Sequence, residues 1–337
     1  MKLILTVPAQ ARFADVAGHV SVEGVRINTT LPVQRPLDEL LADIMRQAGS
    51  RDVWIDLKCR QLRITKYNVE ILHDREYHYL TLSHGIKVGT PAKVWLDDGN
   101  FEGNVVEVIG GRVLKVESST EMRRGLPLPN QGEIGVRPSM SVNIISPALE
   151  IEGNLTDTDK KYIEAAKKNS MHGYMLSYVE QESDITDVLA LDPDAKILAK
   201  IESPKGLEFV KKIYPNYRKQ VNLVAARGDL YVELQKPGYM PDQIIDACDS
   251  IIRADPEAVI ASRIFESLKD VSKPPACQDL FDVYCGMLMG YQRFLIGDEI
   301  STKRDSVQST LGLFKVIAEK YETLNQKKKK WGIFGGK

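Results

Sequence analysis

The chain has 337 residues, 43% hydrophobic and 27% charged, with 45 Lys+Arg against 46 Asp+Glu. That length suits about two domains at roughly 150 residues each, and the near-zero net charge excludes a generally basic nucleic-acid binder. A mean hydropathy of -0.23 without a long apolar run argues against a membrane span, and four cysteines without metal-like spacing (Cys59, Cys248, Cys277, Cys285) suit a reducing, cytoplasmic setting.

Short apolar runs at 3–7, 24–28 and 53–57 read as buried strands. From 71 to 147 the pattern changes to alternating segments turned by Asp98-Gly99 and Gly110-Gly111, which are hairpin signals with no helical period between them. Within this stretch, 123–138 is rich in Gly and Pro and reads as loop. Thr156-x-x-Asp159 then starts a helix in the manner of a capping box. Strands at 174–179, 197–201, 221–225, 258–262 and 294–296 alternate with helices near 184–191, from 204, near 242–253 and near 278–289, and a last helix is expected over 304–325.

Three strands thus precede the β unit and five follow it. The count predicts an α/β fold, a (β/α)8 TIM barrel formed by 1–70 and 148–326. A small barrel-like all-β domain over 71–147 is inserted after strand 3. The end, 327–337, combines Lys327 to Lys330 with Trp331, Ile333 and Phe334 and reads as a solvated basic-aromatic tail. The five histidines, His19, His73, His78, His84 and His172, are scattered, and no pair shows a metal-ligand pattern with a third residue.

Chemistry in such barrels lies at the C-terminal strand ends. There the apolar runs close on Arg26 and Asn28, Asp56 and Lys58, Lys200 and Glu202, Arg227-Gly228-Asp229, and Ser262-Arg263. Lys200 and Glu202, two apart on a strand, face the same way. Glu202 and Asp229, from neighbouring strands, offer hard oxygens suited to Mg2+. A lysine beside such a cation suits stabilisation of an enolate or phosphoryl oxygen. Spacing alone therefore points to metal-assisted chemistry on an oxyanion.

These segments resemble the pyruvate kinase family. Leu198-Ala-Lys-Ile-Glu-Ser-Pro-Lys-Gly looks like its A-K-I-E-N motif, and Ala225-Ala-Arg-Gly-Asp-Leu-Tyr-Val-Glu like V-A-R-G-D-L-G-V-E. Ile260-Ala-Ser-Arg-Ile-Phe-Glu-Ser-Leu is similar to T-A-T-Q-M-L-E-S-M. Upstream, Val25-Arg-Ile-Asn-Thr-Thr resembles A-R-L-N-F-S, and Ile55-Asp-Leu-Lys-Cys-Arg-Gln-Leu-Arg resembles L-D-T-K-G-P-E-I-R. The β unit sits where that family carries its lid, and the resemblance runs in colinear order to about residue 300.

The resemblance implies a cytoplasmic, homo-oligomeric, glycolytic kinase acting on phosphoenolpyruvate or a pyruvate-like substrate, with Mg2+ (or Mn2+) and K+ as cofactors. Lys200 would neutralise the transferred phosphoryl and the enolate oxygen, with Arg26 and Arg63 approaching the phosphoryl groups. Glu202 and Asp229 would hold the divalent metal, the Gly228 amide would meet the substrate carboxylate, and Ser262 would stand at the enolate face. Asn28, Thr30, Asp56 and the Leu57 carbonyl match the monovalent-cation set.

The departures concern the nucleotide side. The family's S-H-G is here Thr30-Leu31-Pro32, and Gln61 replaces the glutamate of P-E-I-R. The family's R-K-G-V-N-L-P aligns either with 137–144, losing its lysine, or with 123–129, where Arg124 replaces it. The resemblance also stops where the family continues into a C-terminal domain, so a short member without that domain's effector site is expected. Besides kinase activity, two readings follow: other metal-enolate chemistry on the same barrel, such as aldol-type cleavage or another phosphoryl acceptor, and a non-catalytic scaffold.

Overall fold

The computed structural model describes residues 1–8, 12–30, 33, 35–72, 75–97, 101–118, 136–235, 238, 240 and 242–330. Eight parallel strands close into a barrel. In chain order they are Lys2–Val7, Val22–Asn28, Asp52–Leu57, Gly173–Leu176, Lys196–Ile201, Val221–Ala226, Val259–Ala261 and Arg293–Ile296, numbered one to eight below. Strands one and eight pair directly, Leu3 opposite Phe294 and Leu5 opposite Ile296, which completes the ring. The chain is a (β/α)8 TIM barrel with an all-β unit inserted after strand three, as the strand count predicts.

Alternation along each strand divides the core in two. One set of strand residues, including Leu3, Val25, Ile27, Ile55, Ile197 and Ile201, packs with the surrounding helices. The other fills the barrel: Ile4, Trp54, Met175, Leu198, Val224, Ala226, Val259, Ala261 and Leu295. Trp54 is the largest of these, and its neighbours are small to admit it. A Cβ at Gly24 would lie 2.9 Å from the Asp52 carbonyl and 3.1 Å from Trp54 Nε1. Two residues beyond Ile4, Gly24, Trp54 and Leu198 on the same face stand Thr6, Arg26, Asp56 and Lys200. The barrel's C-terminal end is therefore polar by the period of the strand alone.

The capping box predicted at Thr156 forms: its hydroxyl accepts from the Asp159 backbone N–H at 3.0 Å, opening the helix Asp157–Lys168. Asp159 also accepts the backbone N–H groups of Lys58 and Cys59 at 2.9 and 3.1 Å. One carboxylate thus caps a helix and pins the loop leaving strand three.

Two strands end earlier than their apolar runs. Strand four stops at Leu176 rather than 179, and strand seven at Ala261 rather than 262. Tyr178 (φ 51), Ser262 (φ 74) and Arg263 (φ 57) adopt left-handed backbone, which breaks the ladder and turns these residues across the mouth.

The inserted unit is a six-stranded antiparallel sheet with its own core, including Leu80, Val94, Val105, Leu114 and Val116. Its first strand, Ile64–Leu72, starts before the boundary expected at 71, and its last is Val142–Ile145. These two outer strands meet through an Arg63–Ser141 bridge and an Ile64 N–H bond to the Met140 carbonyl at 3.0 Å. Gly110 and Gly111, at φ 56 and 68, make the predicted tight turn between Phe101–Ile109 and Val113–Ser118.

The last helix runs Arg304–Lys330, so the segment expected as a tail from 327 is helical at its start. Asp98-Gly99, Leu31-Pro32, His73, Arg124 and 331–337 lie outside the described residues. Among the described residues no helix is long and apolar enough to cross a membrane.

Candidate active site

Asp56, at the end of strand three, is completely buried and sits at the centre of the polar mouth. Its Oδ2 accepts Arg26 Nε at 2.9 Å, a second Arg26 nitrogen, and Lys58 Nζ at 2.9 Å. Its Oδ1 faces Lys200 Nζ at 3.2 Å. Burial alone would raise this carboxyl's pKa, but Arg26, Lys200 and Lys58 hold it well below the usual carboxylate range. The two lysines respond in opposite directions. Burial opposes charge on Lys200, yet Asp56 and Glu202 hold its pKa above the ordinary lysine value. Lys58 is pushed down to about 8 by burial, against the pull of Asp56 and with Lys200 and Arg26 adding repulsion.

Lys200 Nζ also lies 3.4 Å from Glu202 Oε1, the residue just past the end of strand five and two along from the lysine. Glu202 is 3% exposed, and its Oε2 accepts the Tyr178 backbone N–H at 2.7 Å. Burial pushes its pKa up to about 7, opposed by Lys200 and reinforced by Asp229. Asp229, in the short helix Arg227–Glu233 after strand six, accepts the Tyr178 hydroxyl at 3.1 Å and Gln61 Nε2 at 3.4 Å. Two neighbouring carboxylates, one buried with its charge disfavoured, suit a divalent cation. Each keeps lone pairs beyond the hydrogen bonds it accepts, so the residues fit such an ion.

The residues expected to bind K+ lie together, and several already make hydrogen bonds within the protein. Asn28 Oδ1 accepts Thr30 N–H at 3.1 Å and Thr30 Oγ1 at 2.8 Å. The Leu57 carbonyl accepts Ser177 Oγ at 3.1 Å and Ser177 N–H at 3.2 Å. Asp56 Oδ2 is taken up by Arg26 and Lys58, whereas its Oδ1 faces Lys200 without a hydrogen bond, and Thr30 Oγ1 only donates.

The remaining predicted residues rim the same mouth. Arg63 is held by Gln61 Oε1 and by the Ser139 carbonyl at 2.7 Å, at the junction with the inserted unit. Ser262 lies against Gly228: a Cβ on that glycine would be 3.2 Å from Ser262 Oγ.

Sequence reasoning missed three contributors. Asp298, just past strand eight, accepts Arg26 at 3.2 Å and Asn28 Nδ2 at 3.0 Å. Tyr178 bridges Glu202 and Asp229. Asn143, from the inserted unit, donates to the Tyr178 hydroxyl at 2.9 Å. The available signal was the first polar group after each apolar run, which was applied to five strands and not to one, four and eight. Asn143 lies in the 137–144 alignment of the lid motif, and between Arg137 and Val142 stand Pro138, Ser139, Met140 and Ser141, with no lysine.

Among the described residues, one trio of possible metal ligands gathers elsewhere, His172, Asp192 and Asp194, so a third residue does join a histidine. It lies at the N-terminal end of strands four and five. Asp192 there accepts the Tyr174 hydroxyl at 2.7 Å and faces His172 Nδ1 at 2.8 Å, which ties strand four to the end of the helix that follows it.

Residues 47–302 match the family model described as pyruvate kinase, barrel domain. The pyruvate kinase of Borreliella burgdorferi is 23% identical over 236 residues, covering 68% of this chain and 45% of the relative. Pyruvate kinase 2 of Candida glabrata is 25% identical over 256 residues, 73% of this chain and 46% of the relative. The pyruvate kinase of Methanocaldococcus jannaschii is 26% identical over 145 residues, 42% and 28% respectively. The chain thus spans less than half the length of these relatives.

Proposed function

Because this chain belongs to the pyruvate kinase family, we propose that it transfers a phosphoryl group between phosphoenolpyruvate and a nucleoside diphosphate. The observation that carries this reading is the single connected cluster of Arg26, Asp56, Lys200, Glu202 and Asp229 at the barrel mouth. In the transfer, the bond from phosphorus to the enolate oxygen breaks, a bond to a nucleotide oxygen forms, and the enolate carbon takes up a proton. Charge shifts among oxygens throughout, so catalysis is positioning and electrostatic stabilisation.

Lys200, kept charged by Asp56 and Glu202, presents its ammonium to the oxygen on which charge develops. Arg26, clamped by Asp56 and Asp298, and Arg63, at the edge of the inserted unit, receive phosphoryl oxygens. The Gly228 N–H opens a helix and meets the substrate carboxylate, with Ser262 beside it. Glu202 and Asp229 would hold the divalent cation, which supplies charge stabilisation to the enolate. No step is assigned to a monovalent cation. The inserted β unit serves as the lid, excluding water from the mouth through contacts such as Asn143 to Tyr178.

A coupled assay with phosphoenolpyruvate, ADP and Mg2+ tests the reading. Turnover that Lys200→Met abolishes is expected, and no turnover from folded wild-type protein would overturn it. A second reading is favoured by the absent lid lysine and by Thr30-Leu31-Pro32: metal-dependent enolate chemistry without a nucleotide. Its mark is exchange of pyruvate methyl protons that needs Mg2+ but no nucleotide.

A further inference from the structure

Tyr178 occupies an unusual place between the two carboxylates. It follows strand four, is 8% exposed, and holds a left-handed backbone at φ 51 that non-glycine residues rarely adopt. Its backbone N–H donates to Glu202 Oε2 at 2.7 Å, and its hydroxyl donates to Asp229 Oδ1 at 3.1 Å. One residue therefore grips a carboxylate with its main chain and the neighbouring carboxylate with its side chain.

A third contact comes from the other structural unit. Asn143 Nδ2 donates to the Tyr178 hydroxyl at 2.9 Å and reaches Asp229 Oδ1 at 3.5 Å. Asn143 is buried, and among the described residues its Oδ1 has no hydrogen-bond partner. That amide is thus placed for what its donor end touches, and it leaves an open acceptor beside Asp229. A buried polar atom without a partner is costly unless something completes it.

From this geometry we infer that Tyr178 is a positioning residue that presets Glu202 and Asp229 for a divalent cation and links cation binding to the seating of the inserted unit through Asn143. The inference rests on the reading above that these two carboxylates hold the cation. The physical basis is direct. Two adjacent carboxylates without a cation repel and rotate apart unless donors hold them, and outer donors of this kind commonly tune metal affinity about 10- to 100-fold. Because Asn143 reaches Asp229 largely through the same hydroxyl, cation and lid contacts share one network. Binding at one end must then favour order at the other, by the reciprocity of linkage.

The test is Mn2+ binding to the full chain, read from the free-ion electron paramagnetic resonance signal, for wild type, Tyr178→Phe, Asn143→Ala and the double variant. Circular dichroism establishes that each is folded. Tyr178→Phe should weaken Mn2+ binding about 10-fold or more, and Asn143→Ala should weaken it from the inserted unit's side without touching the barrel. The double variant should lose less than the product of the two single losses, since both act largely through one hydroxyl. Hydrogen exchange supplies a second readout: Mn2+ should slow exchange across Val142–Ile145 in wild type and not in Tyr178→Phe.

Wild-type Mn2+ affinity in folded Tyr178→Phe, or effects of the two substitutions that simply multiply, would overturn the inference. If Tyr178→Phe fails to fold, Asn143→Ala and the exchange experiment still decide it, because unchanged affinity and unchanged exchange there refute the link. Asp229→Asn separates the two layers. If wild type shows no Mn2+ site that Asp229→Asn removes, the cation reading fails and takes this inference with it. If that site exists but is indifferent to Tyr178 and Asn143, only the inference fails.

Discussion

Replacing Asp56 by asparagine keeps the shape of the side chain and removes the one charge on which three buried cations converge. Arg26 makes two contacts to it, Lys58 lies at 2.9 Å and Lys200 at 3.2 Å, around a carboxylate with no exposed surface. Removing one partner of a buried ion pair typically costs about 3–5 kcal/mol, because the remaining charge is left desolvated and uncompensated. Lys58, whose charge burial already disfavours, can shed its proton and relieve part of this strain. Arg26 cannot. The expected loss for Asp56→Asn is therefore about 3 kcal/mol at neutral pH, or a fall in melting temperature of roughly 6 °C or more at about 2 °C per kcal/mol.

The assay is chemical and thermal unfolding followed by circular dichroism, with Lys58→Met and the double variant as companions. The double variant should be less destabilised than the sum of the singles, since removing Lys58 lowers the uncompensated charge. The sign with pH follows from the depressed Asp56 pKa. Its contribution is present above the unfolded carboxyl value and is lost as pH falls through the folded value, so wild type and variant should converge in acid. A variant within about 1 kcal/mol of wild type at pH 7, or strict additivity with Lys58→Met, would refute the claim that these cations depend on Asp56.

Glu202, whose pKa stands at about 7, predicts the opposite pH sign. Its ionised form burdens the metal-free fold above its unfolded value, so Glu202→Gln should stabilise the apo protein at pH 8, by at most about 3 kcal/mol, and the gain should vanish near pH 4. Protonation of the same group should weaken Mn2+ binding as pH drops through 7, measurable by titration at several pH values. Lys200→Met should lower turnover or pyruvate proton exchange by at least about 10³-fold, while Mn2+ still binds at Glu202 and Asp229; loss of metal binding together with activity would show that the lysine only supports the site.

The strands, their order and the polar barrel mouth were legible in the sequence because each depends on short-range periodicity. Lys200 and Glu202 share a face wherever the strand forms, and so do Trp54 with Asp56 and Gly24 with Arg26. Turn chemistry such as Gly110-Gly111 and the Thr156–Asp159 box is equally local. The pairing of strands one and eight is not local. Asp298 reaches Arg26 and Asn28 only because the ring closes and brings the ends of the chain side by side.

Tyr178 read as the tail of an apolar strand, and only the packing of Glu202 and Asp229 on either side reveals why its backbone turns left-handed there. Asn143 belongs to a separate sheet with its own core, and its place beside Asp229 depends on how that sheet docks on the barrel. The monovalent-cation set shows the same limit. The residues stand in the expected order, but whether their oxygens are free depends on partners such as Ser177 across the strand three–four pairing. Periodicity determines which way a side chain faces; what it meets there is decided by elements distant in sequence, through close packing and the need of every buried polar group for a partner.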